Sequence, residues 1–164
     1  MRVLYRLILY ILIVFATVAC VNDKEEPVWS LQPGNRLPDF EVVMSDGRRI
    51  TTESLKGKHS VIVFFNTSCS DCRRELPEIQ KYYWQCLIQS EKQVEFLCIS
   101  REEDEASVEA YWKENGFTMP FSAQNNRDVF NLFASSGIPR LYEADENLII
   151  TKCYETYFYF TKQY

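Results

Sequence analysis

Between His59 and Phe65 the chain reads His-Ser-Val-Ile-Val-Phe-Phe, an apolar run bounded by polar residues, which is the pattern of a central strand covered on both faces. Val94 to Ile99 repeats the pattern and predicts a second buried strand. Between them, Ser70 to Gln89 reads as one long helix, and Pro77 inside it removes a backbone donor, so a kink is expected there. Asp104 to Asn115 predicts a helix that stops at Gly116, and Asp128 to Ala134 a shorter one. Phe40 to Met44 and Arg48 to Thr51 flank Ser45-Asp46-Gly47, a turn whose glycine is free to take positive φ; this hairpin is expected to extend the core sheet. Leu141-Tyr142-Glu143 and Leu148 to Cys153, separated by Ala144-Asp145-Glu146-Asn147, read as a second hairpin. Strands alternating with helices make an α/β sandwich.

Residues 1–19 do not belong to that pattern. Arg2 and Arg6 are their only charges, Leu7 to Val18 is almost wholly apolar, and Thr17-Val18-Ala19 ends the stretch with small residues, so it reads as a targeting segment outside the fold. Cys20 follows as the acceptor cysteine does in bacterial lipoproteins, and that resemblance implies cleavage before Cys20 and lipid attachment to it, although Thr17 stands where leucine is more usual. The rival reading is an uncleaved signal anchor, for which the run falls short of the ~20 residues that span a bilayer. Either way the domain lies outside the cytoplasm and is tied to a membrane, in the cell envelope. Residues 20–33 form a tether, polar and punctuated by Pro27 and Pro33. Its Asp23-Lys24-Glu25-Glu26 reads as solvated linker, or as a run resembling surface-export signals of some lipoproteins.

Composition then narrows the partners. Loss of the leader leaves 145 residues, enough for one domain at 34–164, with 16 basic against 23 acidic side chains. That balance argues against nucleic acid and anionic lipid as partners. Of six cysteines, Cys20 is assigned to lipid and two form a close pair, leaving Cys86, Cys98 and Cys153, an odd number, expected to be buried and inert.

The close pair carries the chemistry. Cys69-Ser70-Asp71-Cys72 follows the strand ending at Phe65 and opens the long helix, so Cys69 stands where unpaired N–H groups and the helix dipole favour a thiolate. Two intervening residues let the second sulfur reach the first, giving a dithiol that can open and close as a two-electron switch. Zinc would need two further ligands, and the chain offers one histidine, His59, with its other cysteines scattered singly. Haem attachment fails because Arg73 stands where that motif requires histidine. No metal and no cofactor beyond a Cys69–Cys72 disulfide is therefore expected.

Cys69-Ser70-Asp71-Cys72-Arg73-Arg74-Glu75-Leu76-Pro77, followed much later by Gly137-Ile138-Pro139, resembles the thioredoxin superfamily. Leu37-Pro38-Asp39-Phe40, Asp46-Gly47-Arg48, Leu55-Lys56-Gly57-Lys58 and Glu75-Leu76-Pro77 resemble its membrane-tethered TlpA-like thiol-disulfide oxidoreductases, over Gly34 to Cys153. The resemblance implies a thioredoxin-like three-layer sandwich, a central mixed β-sheet with helices on both faces and an added N-terminal hairpin. It also implies partners: thiol or disulfide proteins of the cell envelope, reduced by the chain, and an electron donor that recharges it. Cys69 would be the nucleophile and Cys72 the resolving thiol; Glu75, on the same helix face, would shuttle the proton and raise the pKa of Cys72. Pro139 would be the cis-proline that holds Ile138 as an open backbone edge for a partner segment. Arg140 replaces a common threonine; beside Cys69 its charge would lower that thiol's pKa, and otherwise it points to solvent.

Ser68, in place of a frequent tryptophan, and Asp71, a charge beside the thiolates, are further departures. A peroxide reductase is a second reading, since Pro38-Asp39-Phe40 also opens peroxiredoxin-like chains, but Asn66 stands where threonine would be called for. A third is a non-catalytic binding module that uses the aromatic run Tyr157 to Phe160, which otherwise packs on the core.

Overall fold

The computed structural model describes residues 29–89 and 94–155. The leader, Cys20, the acidic run at 23–26 and the aromatic run at 157–160 lie outside the described residues. Seven strands are present among them: β1 (Glu41–Val43), β2 (Arg49–Thr51), β3 (His59–Phe65), β4 (Val94–Ser100), β5 (Phe121–Ser122), β6 (Arg140–Ala144) and β7 (Ile150–Glu155). The helices are α1 (Ser70–Gln89), α2 (Glu105–Asn115) and α3 (Asp128–Asn131), with a 3-10 turn at Thr52–Leu55. Among the described residues no helix is long and apolar enough to cross a membrane.

Five strands form one mixed sheet in the order β5-β4-β3-β6-β7. β3 runs parallel to β4, with Phe65 opposite Ser100, and antiparallel to β6, with Phe64 opposite Arg140. Its alternate residues feed two cores. Val61, Val63 and Phe65 face α1 and α2, packing with Cys72, Leu76, Ile79, Val108 and Trp112. Ile62 and Phe64 face the hairpin and α3, packing with Val42, Ile50, Phe130 and Phe133. The unalternating apolar run is thus the signature of a strand with a core on each side.

The aromatic centres are specific. Phe64 lies 4.9 Å from Phe133 and 5.4 Å from Phe130 between ring centroids, while Phe65 lies 4.8 Å from Trp112 on the other face. Trp112 donates its indole N–H to the Met119 carbonyl at 2.9 Å, so its burial leaves that donor satisfied. α2 begins at Asp104, whose carboxylate accepts from the Ser107 N–H at 2.9 Å, and ends at Gly116, which takes the left-handed conformation a C-cap favours. α1 runs as one helix through Pro77.

The hairpin differs from expectation. β1 and β2 form their own two-stranded sheet rather than extending the core sheet. Their side chains are needed as a lid over one core, so Val42, Met44 and Ile50 are buried there, and the turn meets β5 only at its corner. Ser45 N–H donates to the Phe121 carbonyl at 2.6 Å and Ser122 Oγ to the Val43 carbonyl at 2.7 Å. α3 is one turn long because Ala134 leaves the helix to form a β-bridge with Ser30. β5, two residues long, is too short to show a period.

All five described cysteines are free thiols. Cys98 is fully buried and its thiol meets the Met119 sulfur at 3.8 Å. Cys86 and Cys153 are half-buried, contrary to the expectation of burial, because one lies toward the outer end of α1 and the other on the edge strand β7.

Phe64→Ala should cost about 3–5 kcal/mol, since it removes the ring on which three aromatics converge. Tyr142→Phe should cost only about 1 kcal/mol, because the Phe133 carbonyl that loses the Tyr142 hydroxyl keeps the Leu31 N–H. Urea unfolding followed by tryptophan fluorescence measures both.

Candidate functional site

The cysteine motif lies where β3 ends and α1 begins, and the loop between them is tied on both sides. Asn66 donates its side-chain N–H to the Arg101 carbonyl at 2.8 Å, and its carbonyl side-chain oxygen accepts from the Ser68 N–H at 2.8 Å. Thr67 gives its backbone N–H to Glu103 Oε2 at 2.9 Å and its hydroxyl to Glu103 Oε1. Cys69 N–H then closes the turn onto the Asn66 carbonyl at 3.1 Å. The loop is thus fixed to the segment after β4 before the helix starts.

Cys69 occupies the residue before the first helical position, and its sulfur accepts from the Cys72 N–H at 3.4 Å. This is the place of an N-cap side chain, so one of the helix's otherwise unpaired donors points at the sulfur. Cys69 is half-buried, and its thiol meets the Ile138 carbonyl oxygen at 3.8 Å. Cys72, one turn further in, has no solvent exposure. Burial pushes its thiol well above the ordinary value, offset in part by the backbone of Asn66 and by the charge of Arg101.

The two thiols are therefore unlike. One meets solvent at a helix N-terminus and the other is held neutral beneath it.

Glu75 is buried, 8% exposed at the side chain, and accepts from Arg74 Nε at 3.1 Å. The rise at Cys72 comes first from burial rather than from this carboxylate, which differs from the sequence expectation. Asp71 is neutralised by Arg74, whose guanidinium reaches it at 3.0 Å, so that charge is not left bare beside the sulfurs.

The Ile138–Pro139 peptide bond is cis, and Pro139 lies directly after the carbonyl that faces Cys69. Arg140 is 4% exposed and does not point to solvent. Its guanidinium donates to the Ser136 carbonyl at 2.8 Å and pairs with Glu155 at 2.5 Å, so it braces the loop before Pro139 from behind. A Cβ at Gly137 would stand 3.0 Å from the same guanidinium, and Gly137 has φ +81°, so the close packing and the backbone both require glycine.

Arg101, which sequence reading did not single out, is a cation whose charge bears on both thiols. The signal was there in outline: Arg101 is the first residue after a strand parallel to the one that delivers the motif, and sites in such sheets gather at the carboxyl ends of the strands. His59 opens β3 at the opposite end and pairs with Glu146 at 3.0 Å. Among the described residues no three metal-ligating side chains gather into a cluster.

Comparison with known proteins agrees with this arrangement. The AhpC/TSA family profile matches residues 33–153. The chain is 25% identical to thiol-disulfide oxidoreductase ResA of Bacillus thuringiensis, covering 76% of this chain and 68% of that one. To the ResA of Oceanobacillus iheyensis it is 28% identical, over 83% of this chain and 70% of the relative. The solution structure of a candidate protein disulfide isomerase from Bacteroides thetaiotaomicron superposes with a TM-score of 0.69 at 30% identity, over 79% of this chain and 85% of that one. With its mixed sheet, its hairpin and its strand-to-helix cysteine pair, the chain belongs to the AhpC/TSA family and is a thioredoxin-like thiol-disulfide oxidoreductase of the ResA type.

Proposed function

We propose that the chain works outside the cytoplasm, held to a membrane through lipid on Cys20, and reduces disulfides of partner proteins with the Cys69/Cys72 dithiol. The observation that carries this reading is the placement of the Cys69 sulfur, half-exposed at the N-terminus of α1, with the Cys72 N–H at 3.4 Å and the Ile138 carbonyl at 3.8 Å. The unlike surroundings of the two thiols order the steps. Cys69, as thiolate, attacks one sulfur of the partner disulfide; that S–S bond breaks, a partner thiolate leaves, and Cys69 holds a mixed disulfide. Cys72 then loses its proton and attacks the Cys69 sulfur, the mixed disulfide breaks, and the second partner thiolate leaves. The partner gains two electrons and two protons, and the chain is left with a Cys69–Cys72 disulfide that an external thiol donor must reduce.

The second step is the harder, because Cys72 is buried and neutral. Glu75 takes its proton in this reading, supported by its burial on the next turn of α1, the same helix that carries Cys72. Ile138 and Pro139 offer the backbone edge to which a partner's extended segment binds, and Arg140 keeps that edge in place through the Ser136 and Gly137 carbonyls. Extracytoplasmic tethering is supported by the sequence: the two-arginine start, the apolar stretch to Val18, the small residues and then Cys20.

Cys72→Ala expressed in the host should accumulate partners as mixed disulfides on Cys69, seen as reducible bands by mass spectrometry. Cys69→Ser should trap none and lose insulin-disulfide reduction; a Cys69→Ser chain with full activity would end the proposal. Glu75→Gln should slow resolution about 10²-fold at neutral pH. The sign follows from the raised thiol: only the small ionised fraction of Cys72 can then attack, so the deficit should shrink about tenfold per pH unit on the alkaline side, as stopped-flow kinetics will record. Cys20→Ser should move the protein from the membrane to the soluble fraction on centrifugation.

A further inference from the structure

Residues 29–31, the first described part of the expected tether, are bound to the segment that leads to Ile138. They run antiparallel to residues 133–135, with Ser30 opposite Ala134 in an isolated bridge. Leu31 N–H donates to the Phe133 carbonyl at 2.8 Å, and Ser135 N–H to the Trp29 carbonyl at 2.9 Å. The Ser135 hydroxyl adds two more bonds, accepting from the Trp29 N–H at 2.9 Å and donating to the Trp29 carbonyl at 3.3 Å. Trp29 is 45% exposed and Ser30 carries a hydroxyl, so core burial does not account for so dense a set of bonds. What they order is the chain just ahead of Ile138.

A second set of contacts leads to the same place. Ser30 Oγ accepts from Gln32 Nε2 at 2.8 Å and donates to Glu155 Oε1 at 3.3 Å. That carboxylate oxygen also accepts from the buried Arg140 guanidinium at 2.5 Å. The guanidinium in turn donates to the Ser136 carbonyl at 2.8 Å and to the Gly137 carbonyl at 3.4 Å. The hydrogen bonds are thus continuous from Ser30 to the residue before Ile138. Leu31 and Ile138 also pack against one core, that of Phe64 and Phe133.

We propose that residues 29–31 are a positioning strap for partner binding: by fixing Ser135 directly, and Ser136 and Gly137 through Glu155 and Arg140, they hold the Ile138 backbone as a partner's extended segment meets it beside Cys69. This rests on the reading of Ile138 as a partner edge given above, and it adds the element that orders that edge. A backbone edge ordered before the partner arrives loses less conformational freedom on binding, so the gain falls to partners that use the edge. A small disulfide needs only the Cys69 sulfur, which meets the Ile138 carbonyl across the site but takes no bond from the strap among the described residues.

The test compares two oxidants of the reduced full chain carrying Cys20→Ser, Cys86→Ser and Cys153→Ser. One is insulin, followed by mass spectrometry of the Cys69–Cys72 disulfide after acid quench; the other is dithiobis-nitrobenzoate, followed by the absorbance of released thionitrobenzoate. In both, the Cys69 thiolate attacks one sulfur, that S–S bond breaks and a thiolate leaves; Cys72 then attacks the Cys69 sulfur, expels the second thiolate and closes the Cys69–Cys72 disulfide. Ser30→Ala with Ser135→Ala strips both hydroxyls and leaves the backbone bonds, and should slow the insulin reaction about threefold. Leu31→Pro, which removes the N–H given to Phe133, should slow it about tenfold. The dithiobis-nitrobenzoate rate should not change in either variant. Ser30→Thr with Ser135→Thr keeps both hydroxyls and should restore the insulin rate. An insulin rate unmoved in the folded alanine pair, two rates that fall together, or a threonine pair as slow as the alanine pair overturns the strap; should Leu31→Pro fail to fold, the serine variants decide alone. A parent chain that insulin does not oxidise overturns the dithiol reading and the strap together.

Discussion

Everything at the site hangs from the enclosure of β3. It has a strand on each side and a core on each face, and the residues from Ile62 to Phe65 have no solvent exposure. A strand so confined cannot slip by one residue without turning Ile62 and Phe64 toward the wrong core. Its register with β4 therefore fixes where Phe65 ends, and with it the start of the loop that carries Cys69 and the position of Arg101 alongside. By contrast, the many ion pairs on the surface, such as Arg49 with Glu41 and Lys81 with Glu78, are exposed and contribute about 0–1 kcal/mol each. Apolar enclosure, not charge pairing, sets the frame.

Within that frame the two sulfurs differ by solvent access more than by their immediate chemistry. The same helix carries both, three residues apart, and the first turn directs a donor at one while the core closes over the other. An oxidoreductase needs this asymmetry, because a pair of equally exposed thiols would leave the order of attack undecided. Opposite the Cys69 thiol stands the backbone carbonyl of Ile138, and two arginines hold the residues leading to it: Arg127 on the Ser135 carbonyl and Arg140 on those of Ser136 and Gly137.

Much of this was legible from the residues alone, where a physical rule acts over a short span. The strands at 59–65 and 94–100 announce themselves because burial on both faces erases alternation, and α2 because Asp104 and Gly116 mark its ends. The cysteine pair was readable because its spacing and its place after a strand are local. What escaped depends on distant partners. Whether the hairpin joins the sheet is decided by Val42, Met44 and Ile50 being called to cover a core, which no window of the sequence displays. Arg140, by its place after Pro139, reads as a charge for Cys69 or as a solvent-facing side chain, yet Glu155, fifteen residues on, and the Ser136 carbonyl claim it. Arg101 looked like any arginine after a strand until parallel pairing brought it beside Asn66.

The way the chain enters and leaves the described fold has a practical side. Trp29 shares three hydrogen bonds with Ser135, and Glu155 accepts from Ser30 and Arg140, so both residues stand close to the segment that carries Pro139. A fluorescent protein or affinity handle inserted beside either of those residues would crowd the face on which the Ile138 carbonyl meets the Cys69 thiol. The turn at Asp145–Asn147, at the far end of β6 where Glu146 meets His59, offers a graft position remote from it.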